Sequence, residues 1–157
     1  MIELVVPTSA AMEDLGERMA GLLAAGDLIR LDGPLGAGNT TFTRGLGRAL
    51  GARGAVTSPT FVLSREHPTT AGPPLVHVDA YRLNSALELD DLDLDWDRSI
   101  TVVEWADGKV GDVVDSWIEI GIDRPAGDEA DGDDDQPRIV RIAGHGPRWA
   151  DLDARLA

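Results

Sequence analysis

The amino-acid sequence predicts an α/β fold in which a central, mostly parallel sheet is flanked by helices. Short runs of β-branched and apolar residues alternate with segments whose apolar residues recur at helical spacing. Residues 28–50 contain a strand, a glycine-rich loop and a helix in immediate succession. Two other apolar runs end in a carboxylate, at Asp79 and at Glu104. Ligands collect at such strand ends in open α/β sheets.

Size and composition predict one domain spanning residues 1–157. Of these residues 43% are apolar, which is enough for a sizeable core, and the absence of cysteine excludes disulfides and thiol chemistry. A net charge of −14 argues against tight direct binding to a nucleic-acid backbone, so any role on RNA would run through a partner protein. No apolar run approaches the roughly 20 residues of a membrane span, and the N-terminus lacks the basic region of a signal peptide. We therefore expect a cytoplasmic protein that does not bind membranes.

The first predicted elements are a strand and a helix. Residues 2–6 form a β-branched run that ends at Pro7. Thr8 and Ser9 are candidate N-caps for a helix from residue 10 to about residue 25, because its apolar positions repeat at helical spacing. Gly26 and Asp27 then break the helix before the strand that begins at residue 28.

The glycine-rich segment has the spacing of a phosphate-binding loop. Counted from Gly33, it reads G-x-x-x-x-G-N-T, whereas the motif requires G-x-x-x-x-G-K-[ST]. Glycines let successive backbone N–H groups turn around phosphate oxygens, and the helix predicted over residues 40–50 points its positive end at the same anion. The predicted nucleotide-binding residues of this loop are Gly33, Gly36, Ala37, Gly38, Asn39, Thr40 and Thr41.

Asn39 is the departure from that motif. The lysine of the motif reaches the β- and γ-phosphates and neutralises charge as the γ-phosphoryl group leaves. Asparagine is shorter and neutral, so it can donate hydrogen bonds but supplies no charge. The backbone cradle remains, as does the hydroxyl of Thr40, the usual magnesium ligand. The sequence therefore predicts nucleotide binding with compromised hydrolysis.

The chain after this helix carries two further candidate regions. Ser58 and Thr60 flank a proline, which indicates either a loop that senses the γ-phosphate or an ordinary Ser-Pro turn. An extended segment over residues 61–67 and a turn over 69–74 lead to a strand over 75–79, which ends at Asp79. His77 alternates with Asp79 on that strand, and a lone histidine there favours a structural role over a site role.

The remaining segments predict a strand with a terminal carboxylate, a hairpin and a short helix. A helix capped by Ser85 precedes the strand over residues 100–103, which leads into Glu104, the placement of a catalytic carboxylate in many phosphate-loop ATPases. Trp105 could stack on a base or simply pack. Residues 117–122 and 139–142 predict a hairpin around a disordered acidic loop at 127–136, and residues 148–156 suit a terminal helix.

Taken together, these residues give a chain that resembles the bacterial YjeE/TsaE family, the ATPase of tRNA N6-threonylcarbamoyladenosine (t6A) biosynthesis. The D-x-Y-R-L and V-E-W blocks are far more specific than a phosphate loop alone. The resemblance covers roughly residues 4–144, with the acidic loop as an insertion. It rests on four blocks in the family's order: residues 31–45 (LDGPLGAGNTTFTRG), 57–61 (TSPTF), 77–83 (HVDAYRL) and 103–105 (VEW).

The resemblance implies a small three-layer α/β domain of the P-loop type that binds ATP or ADP and Mg²⁺. It implies that Thr40, Glu104 and Asp79 serve the metal, the two carboxylates being the catalytic residues. It further implies that residues 58–60 act as a switch loop beside the nucleotide, and Trp105 belongs to the same predicted nucleotide site. The implied partners are TsaB and TsaD, whose threonylcarbamoyl transfer to adenosine 37 of tRNAs that read ANN codons the ATPase supports, with tRNA met only indirectly.

Three functions compete at this point. The first is an active ATPase of this family, compromised by Asn39 in place of the family's lysine. The second is a nucleotide-binding regulatory subunit of the same complex that no longer hydrolyses. The third is a small-molecule kinase built on the same loop, which ranks last because such kinases need an arginine-rich lid and the arginines here are dispersed.

Overall fold

The computed structural model describes residues 1–33, 38–52, 64–70, 72–79, 95–104, 114–123 and 137–156. Within them the chain forms seven strands, three α-helices and one 3₁₀ helix. Their bounds are β1 Ile2–Val6, α1 Ser9–Ala20, β2 Leu28–Asp32, α2 Asn39–Leu50, β3 Ser64–His67, β4 Leu75–Asp79, β5 Ile100–Glu104, β6 Trp117–Asp123, β7 Arg138–His145, the 3₁₀ helix Pro147–Trp149 and α3 Leu152–Leu156. None of the helices in this part of the chain has the length and apolarity that a membrane crossing requires.

The seven strands form one mixed sheet in the order β1-β7-β6-β2-β5-β4-β3. The four central strands, β6, β2, β5 and β4, run parallel, whereas β1, β7 and β3 pair with their neighbours in antiparallel fashion. The predicted α/β class with a parallel centre is confirmed. The predicted hairpin is confirmed as well, since β6 and β7 pair from Trp117 with His145 to Asp123 with Ile139.

One face of the sheet packs against the helices and forms the main core. Alternate residues of each strand point to the same face. On this face Leu31, Val102 and Ile120 are completely buried in a cluster with Phe42 of α2 and Met19 of α1. The opposite face is also covered near its centre, where the buried apolar residues of β2, β4 and β5 lie outside that cluster: Leu28, Val76, Val78 and Val103. Cover on both faces is what a three-layer domain requires.

The first two helices touch at backbone distance. A Cβ atom added to Gly45 of α2 would lie 2.1 Å from the carbonyl oxygen of Glu13, and one added to Gly16 of α1 would lie 2.3 Å from that of Phe42. On the solvent side Arg48 donates to Glu13 at 3.0 Å and pairs with Glu17. The helix that follows the predicted phosphate-binding segment is therefore held in place by α1.

The predicted end of α1 is wrong by five residues. The helical spacing predicts a helix to about residue 25, whereas α1 ends at Ala20 and Gly21 is its C-cap. Looser turns follow, and the carboxylate of Asp27 accepts a hydrogen bond from the Ala24 N–H at 2.7 Å. The buried side chain of Asp27 thus takes the place of a helical backbone partner for the Ala24 N–H, in a segment where the apolar spacing predicts another turn of helix.

The predicted terminal helix over residues 148–156 is divided in two. A 3₁₀ turn begins after Gly146, whose φ of +87° favours glycine, and α3 follows from Leu152. Arg148 of the 3₁₀ turn pairs with buried Asp27 across the molecule, and neighbouring Trp149 is 1% exposed in the core. These two contacts fix the break between the turns.

Candidate functional site

The strand–loop–helix segment begins at Gly33, directly after β2, and enters α2 through Gly38. Gly38 has φ +123°, a backbone conformation that side chains disfavour, and a Cβ there would lie 3.2 Å from the Cε atom of Met12. In the described residues no side chain caps the N-terminus of α2, and its first turn carries no acidic residue. The positive end of the helix therefore retains N–H groups for an anion.

Asn39 turns back onto its own loop. Its Nδ2 atom donates to the carbonyl oxygen of Gly33 at 3.2 Å, so the side chain ties the start of the loop to the start of the helix. Its Oδ1 atom is buried and has no hydrogen-bond partner among the described residues. The side chain therefore forms a neutral link between Gly33 and the first residue of α2.

Thr40 and Thr41 occupy the first turn of α2 and are half-buried. Behind them the hydroxyl of Thr43 is committed to the Asn39 carbonyl oxygen at 2.8 Å. The turn is thus anchored on its inner side by Thr43, while Thr40 and Thr41 lie at its open end. This is the position that the sequence predicts for the metal-binding hydroxyl.

The two predicted catalytic carboxylates lie side by side. Asp79 ends β4 and Glu104 ends β5, and the two residues are in register across these parallel neighbours. Glu104 is also in register with Leu31 of β2, two residues before Gly33. The loop, Glu104 and Asp79 therefore follow three adjacent strands at the same edge of the sheet.

His77 contacts Glu104 directly. Its Nε2 atom lies 2.7 Å from the Oε2 atom of Glu104, and both residues are buried. His77 is in register with Val102, so it shares a sheet face with Glu104 and lies diagonal to it. Sequence reasoning favoured a plain structural histidine and missed this contact. The spacing of His77 and Asp79, two residues apart on a predicted strand, places both on one sheet face, but the pairing of that strand with the strand of Glu104 comes only from the structure.

The chemistry of this edge fits Mg²⁺. Thr40, Asp79 and Glu104 offer hard oxygen ligands, which Mg²⁺ prefers. No group of three or more His, Cys, Asp or Glu side chains in the described ranges could hold a metal ion by itself. One or two carboxylates, completed by phosphate oxygens and water, are the usual protein contribution to a nucleotide-bound Mg²⁺.

A concave region on the other face of the sheet is unsuited to phosphate. It has a volume of about 430 Å³ and adjoins Gly33, and its lining includes Asp32, Glu119 and Asp123. The arginine in its lining, Arg141, is already paired with Asp123 and with a glutamate of β1. Among the described residues of its lining the carboxylates outnumber the arginine, so this region disfavours a nucleotide.

Several predicted site residues lie outside the described residues. They are Gly36 and Ala37 of the loop, Ser58 and Thr60 of the proposed switch segment, and Trp105 after β5. The acidic segment 127–136 and the helix predicted after Ser85 also lie outside them. The site described here consists of Gly33, Gly38, Asn39, Thr40, Thr41, Asp79 and Glu104, with the addition of His77.

Comparison with known proteins identifies the family of this chain. Residues 6–130 match the family model described as "Threonylcarbamoyl adenosine biosynthesis protein TsaE". A Streptomyces coelicolor protein named tRNA threonylcarbamoyladenosine biosynthesis protein TsaE is 56% identical over 149 residues, which is 92% of this chain and 98% of that protein. A Mycobacterium tuberculosis protein of the same name is 45% identical over 120 residues, or 70% of this chain and 71% of its own length.

A solved structure supports the architecture. The crystal structure of Bacillus subtilis YdiB superposes with a TM-score of 0.74, covering 99% of this chain and 92% of YdiB. The two sequences are 22% identical, so this likeness establishes the fold alone. On the family match and the identity to its curated members, this chain belongs to the TsaE family of threonylcarbamoyl adenosine biosynthesis proteins.

Proposed function

We propose that this chain is a Mg²⁺-dependent ATPase subunit that supports t6A formation on tRNA together with TsaB and TsaD, with an activity weakened by Asn39. The proposal rests on the arrangement of groups at the carboxyl ends of three adjacent parallel strands, β2, β5 and β4. An uncapped helix N-terminus entered through Gly38 at φ +123° follows β2, and the adjacent strands end in Glu104 and Asp79. The same end of the sheet thus carries backbone N–H groups that can bind phosphate and side-chain oxygens that can bind a cation.

Each residue at this edge has a distinct role in the proposal. The backbone N–H groups at the start of α2 bind phosphate oxygens, and Thr40, Asp79 and Glu104 would hold Mg²⁺. When bound, Mg²⁺ neutralises charge on the β- and γ-phosphates and polarises the phosphoryl group. The Glu104 carboxylate also accepts a hydrogen bond from the attacking water and so orients it.

A second candidate function is supported by the position of Asn39. A subunit that binds nucleotide without hydrolysing it needs the amide cradle but not a mobile cation over the phosphates. Asn39 is neutral and bonded to Gly33, so it fits such a subunit. Phosphate release with and without TsaB and TsaD separates the two, because a regulatory subunit would release no phosphate in either assay.

The role of Glu104 is tested by Glu104→Gln, which removes the charge and preserves the shape. We expect ATP hydrolysis to fall at least tenfold, by about 1.4 kcal/mol or more of transition-state stabilisation, with nucleotide affinity nearly unchanged. Glu119→Gln is the matched control, since Glu119 lies on the opposite face of the sheet, bonded to Arg30 and His145. Unchanged turnover in the Glu104 variant would remove this residue from the site.

The partnership is tested by reconstitution. Multiple-turnover t6A formation by TsaB and TsaD should require this chain and ATP, and it should drop with Glu104→Gln but persist with Glu119→Gln. Equal t6A yields with and without this chain would contradict the proposed partnership while leaving ATP binding as a separate matter.

A further inference from the structure

We propose that His77 is a positioning residue that holds the Glu104 carboxylate in one orientation through a hydrogen bond. The inference rests on the proposed function, because it assigns to His77 a role in presenting Glu104 to Mg²⁺ and water. The contact is short, 2.7 Å between Nε2 and Oε2. Both side chains are withdrawn from solvent, with His77 0% and Glu104 8% exposed.

The chemistry of the pair fixes the direction of the hydrogen bond. A carboxylate that serves a cation is ionised and can only accept, so Nε2 of His77 must carry the hydrogen and donate it. This commits Oε2 to the histidine and leaves Oε1 for other partners. One oxygen is therefore reserved for positioning and the other is available for the metal or the water.

The sheet supplies the rigidity that such a role needs. His77 lies in the middle of β4, between Val76 and Val78, which are both buried. Its partner strand β5 is buried at each of its five residues, from Ile100 to Glu104. A glutamate has three rotatable side-chain bonds, and a donor on a fixed neighbouring strand removes that freedom before substrate binds. Groups that orient a metal-binding carboxylate in this way commonly matter nearly as much for metal affinity or activity as the residues that contact the metal.

The alternative is that His77 only fills space, and the pattern of hydrogen bonds disfavours it. Its Nδ1 atom is buried without a partner in the part of the chain that the structure describes. A buried polar atom without a partner costs stability, so an apolar residue of similar volume would serve packing better. The presence of a histidine here therefore favours a role for its hydrogen bond to Glu104.

The test compares two substitutions at His77. His77→Leu removes the donor, whereas His77→Gln keeps an amide N–H near the position of Nε2. Mn²⁺ binding to the full chain in the presence of ADP, followed by electron paramagnetic resonance, reports on the metal independently of turnover. ATP hydrolysis at saturating nucleotide reports on kcat, and thermal melting reports on folding.

With His77→Leu we expect the half-saturating Mn²⁺ concentration to rise and kcat to fall, each about fivefold to tenfold, with metal-free ADP affinity unchanged. His77→Gln should recover most of both losses. In a Glu104→Gln background His77→Leu should add no further loss of kcat, because the positioned carboxylate is gone.

His67→Leu is the matched control for loss of a buried histidine. His67 is 5% exposed on the same sheet face, in register with Leu75, and its Nε2 atom has no partner in the described residues. Whatever its melting temperature, the His67→Leu variant should have the same half-saturating Mn²⁺ concentration as the parent. If His77→Leu and His67→Leu behave alike, or if the effect of His77→Leu persists undiminished in the Glu104→Gln background, His77 is structural and the inference is wrong.

Failure of the proposed function has a different signature. A parent chain that binds neither ADP nor Mn²⁺·ADP would overturn the nucleotide site and the role of His77 together. A parent that binds both, with no difference among the His77 variants, would overturn the role of His77 alone. If His77→Leu does not fold, His77→Gln and His77→Met decide the matter, and equal Mn²⁺ binding by these two would overturn the inference.

Discussion

At the scale of single residues, Asn39 is the feature that we expect to weaken nucleotide binding at the candidate site. Its side chain bridges to the Gly33 carbonyl oxygen and offers no positive charge. A charge-assisted hydrogen bond to phosphate contributes roughly 1.5–3 kcal/mol, or about one to two decades of affinity. The contribution is larger in the transition state, where charge on the phosphates redistributes.

Restoring the charge with Asn39→Lys should therefore raise ATP affinity about tenfold to one hundredfold and raise hydrolysis by a larger factor. Calorimetry measures the first quantity and phosphate release the second. Asn39→Ala is the control, because it removes the bridge to Gly33 without adding charge and should give neither gain. If the lysine variant binds and hydrolyses no better than the parent, another residue has taken over the role of the motif's lysine.

His67 gives the folded state a dependence on pH. Burial lowers the pKa of His67 below its ordinary value of 6.5, and proximity to His77 and Arg65 lowers it further. The folded state thus disfavours the charged form of His67. Below pH 6.5 this histidine therefore binds a proton more readily in the unfolded chain than in the folded chain. The contribution to the free energy of unfolding is fully favourable above pH 6.5 and is lost as the pH falls through this window.

We expect the parent to lose stability between pH 7.5 and pH 5.5, and His67→Gln to lose less over the same interval. Urea denaturation at the two pH values measures both differences, and their comparison cancels the contribution of groups that the two proteins share. Equal losses in parent and variant would show that His67 does not titrate differently on folding.

At the scale of elements, the contact between α1 and α2 positions the helix that would bind phosphate. Gly45→Ala forces a Cβ atom to within 2.1 Å of the Glu13 carbonyl oxygen, which is backbone and cannot rotate away. Overpacking of this kind costs about 1–3 kcal/mol, which outweighs the gain of up to about 1 kcal/mol in helix propensity. We expect a lower melting temperature and weaker ATP binding, because α2 must shift.

Gly21→Ala is the matched control for that substitution. Gly21 has φ −65°, and an added Cβ would make an ordinary contact of 3.5 Å with the Arg18 carbonyl oxygen. This variant should match the parent in melting temperature and in ATP affinity. A Gly45 variant as stable as the parent would mean that the two helices can move apart at little cost.

The elements also show what a sequence can and cannot predict. The strand β5 and its terminal Glu104 follow from a continuous run of apolar and β-branched residues. The end of α1 does not, because it depends on Asp27, which pairs with a residue 121 positions away. The contact of His77 with Glu104 likewise depends on the register of β4 and β5, which no local pattern encodes.

At the scale of the whole molecule, the two ends of the parallel strands differ: one end carries the polar groups of the candidate site and the other is held by structural contacts. The carboxyl ends of β2, β5 and β4 carry the candidate site. The other end is closed by the buried Asp27 and its ion pair with Arg148. Helices α1 and α3 are also tied together, since Arg18 of α1 donates to the carbonyl oxygen of Leu156 in α3 at 2.7 Å. The chain is fixed at one end of the sheet and presents polar groups at the other.

The location of nucleotide is the central claim, and backbone amide NMR of the full chain tests it most directly. On addition of Mg²⁺ and a non-hydrolysable ATP analogue, we predict the largest shifts at Gly38, Asn39 and Thr40 and at the strand ends Asp79 and Glu104. The amide signals of residues that line the concave region on the other face of the sheet, such as Glu119 and Asp123, should remain unchanged. Shifts concentrated on that face, or no shifts at millimolar analogue, would contradict a nucleotide site at the loop.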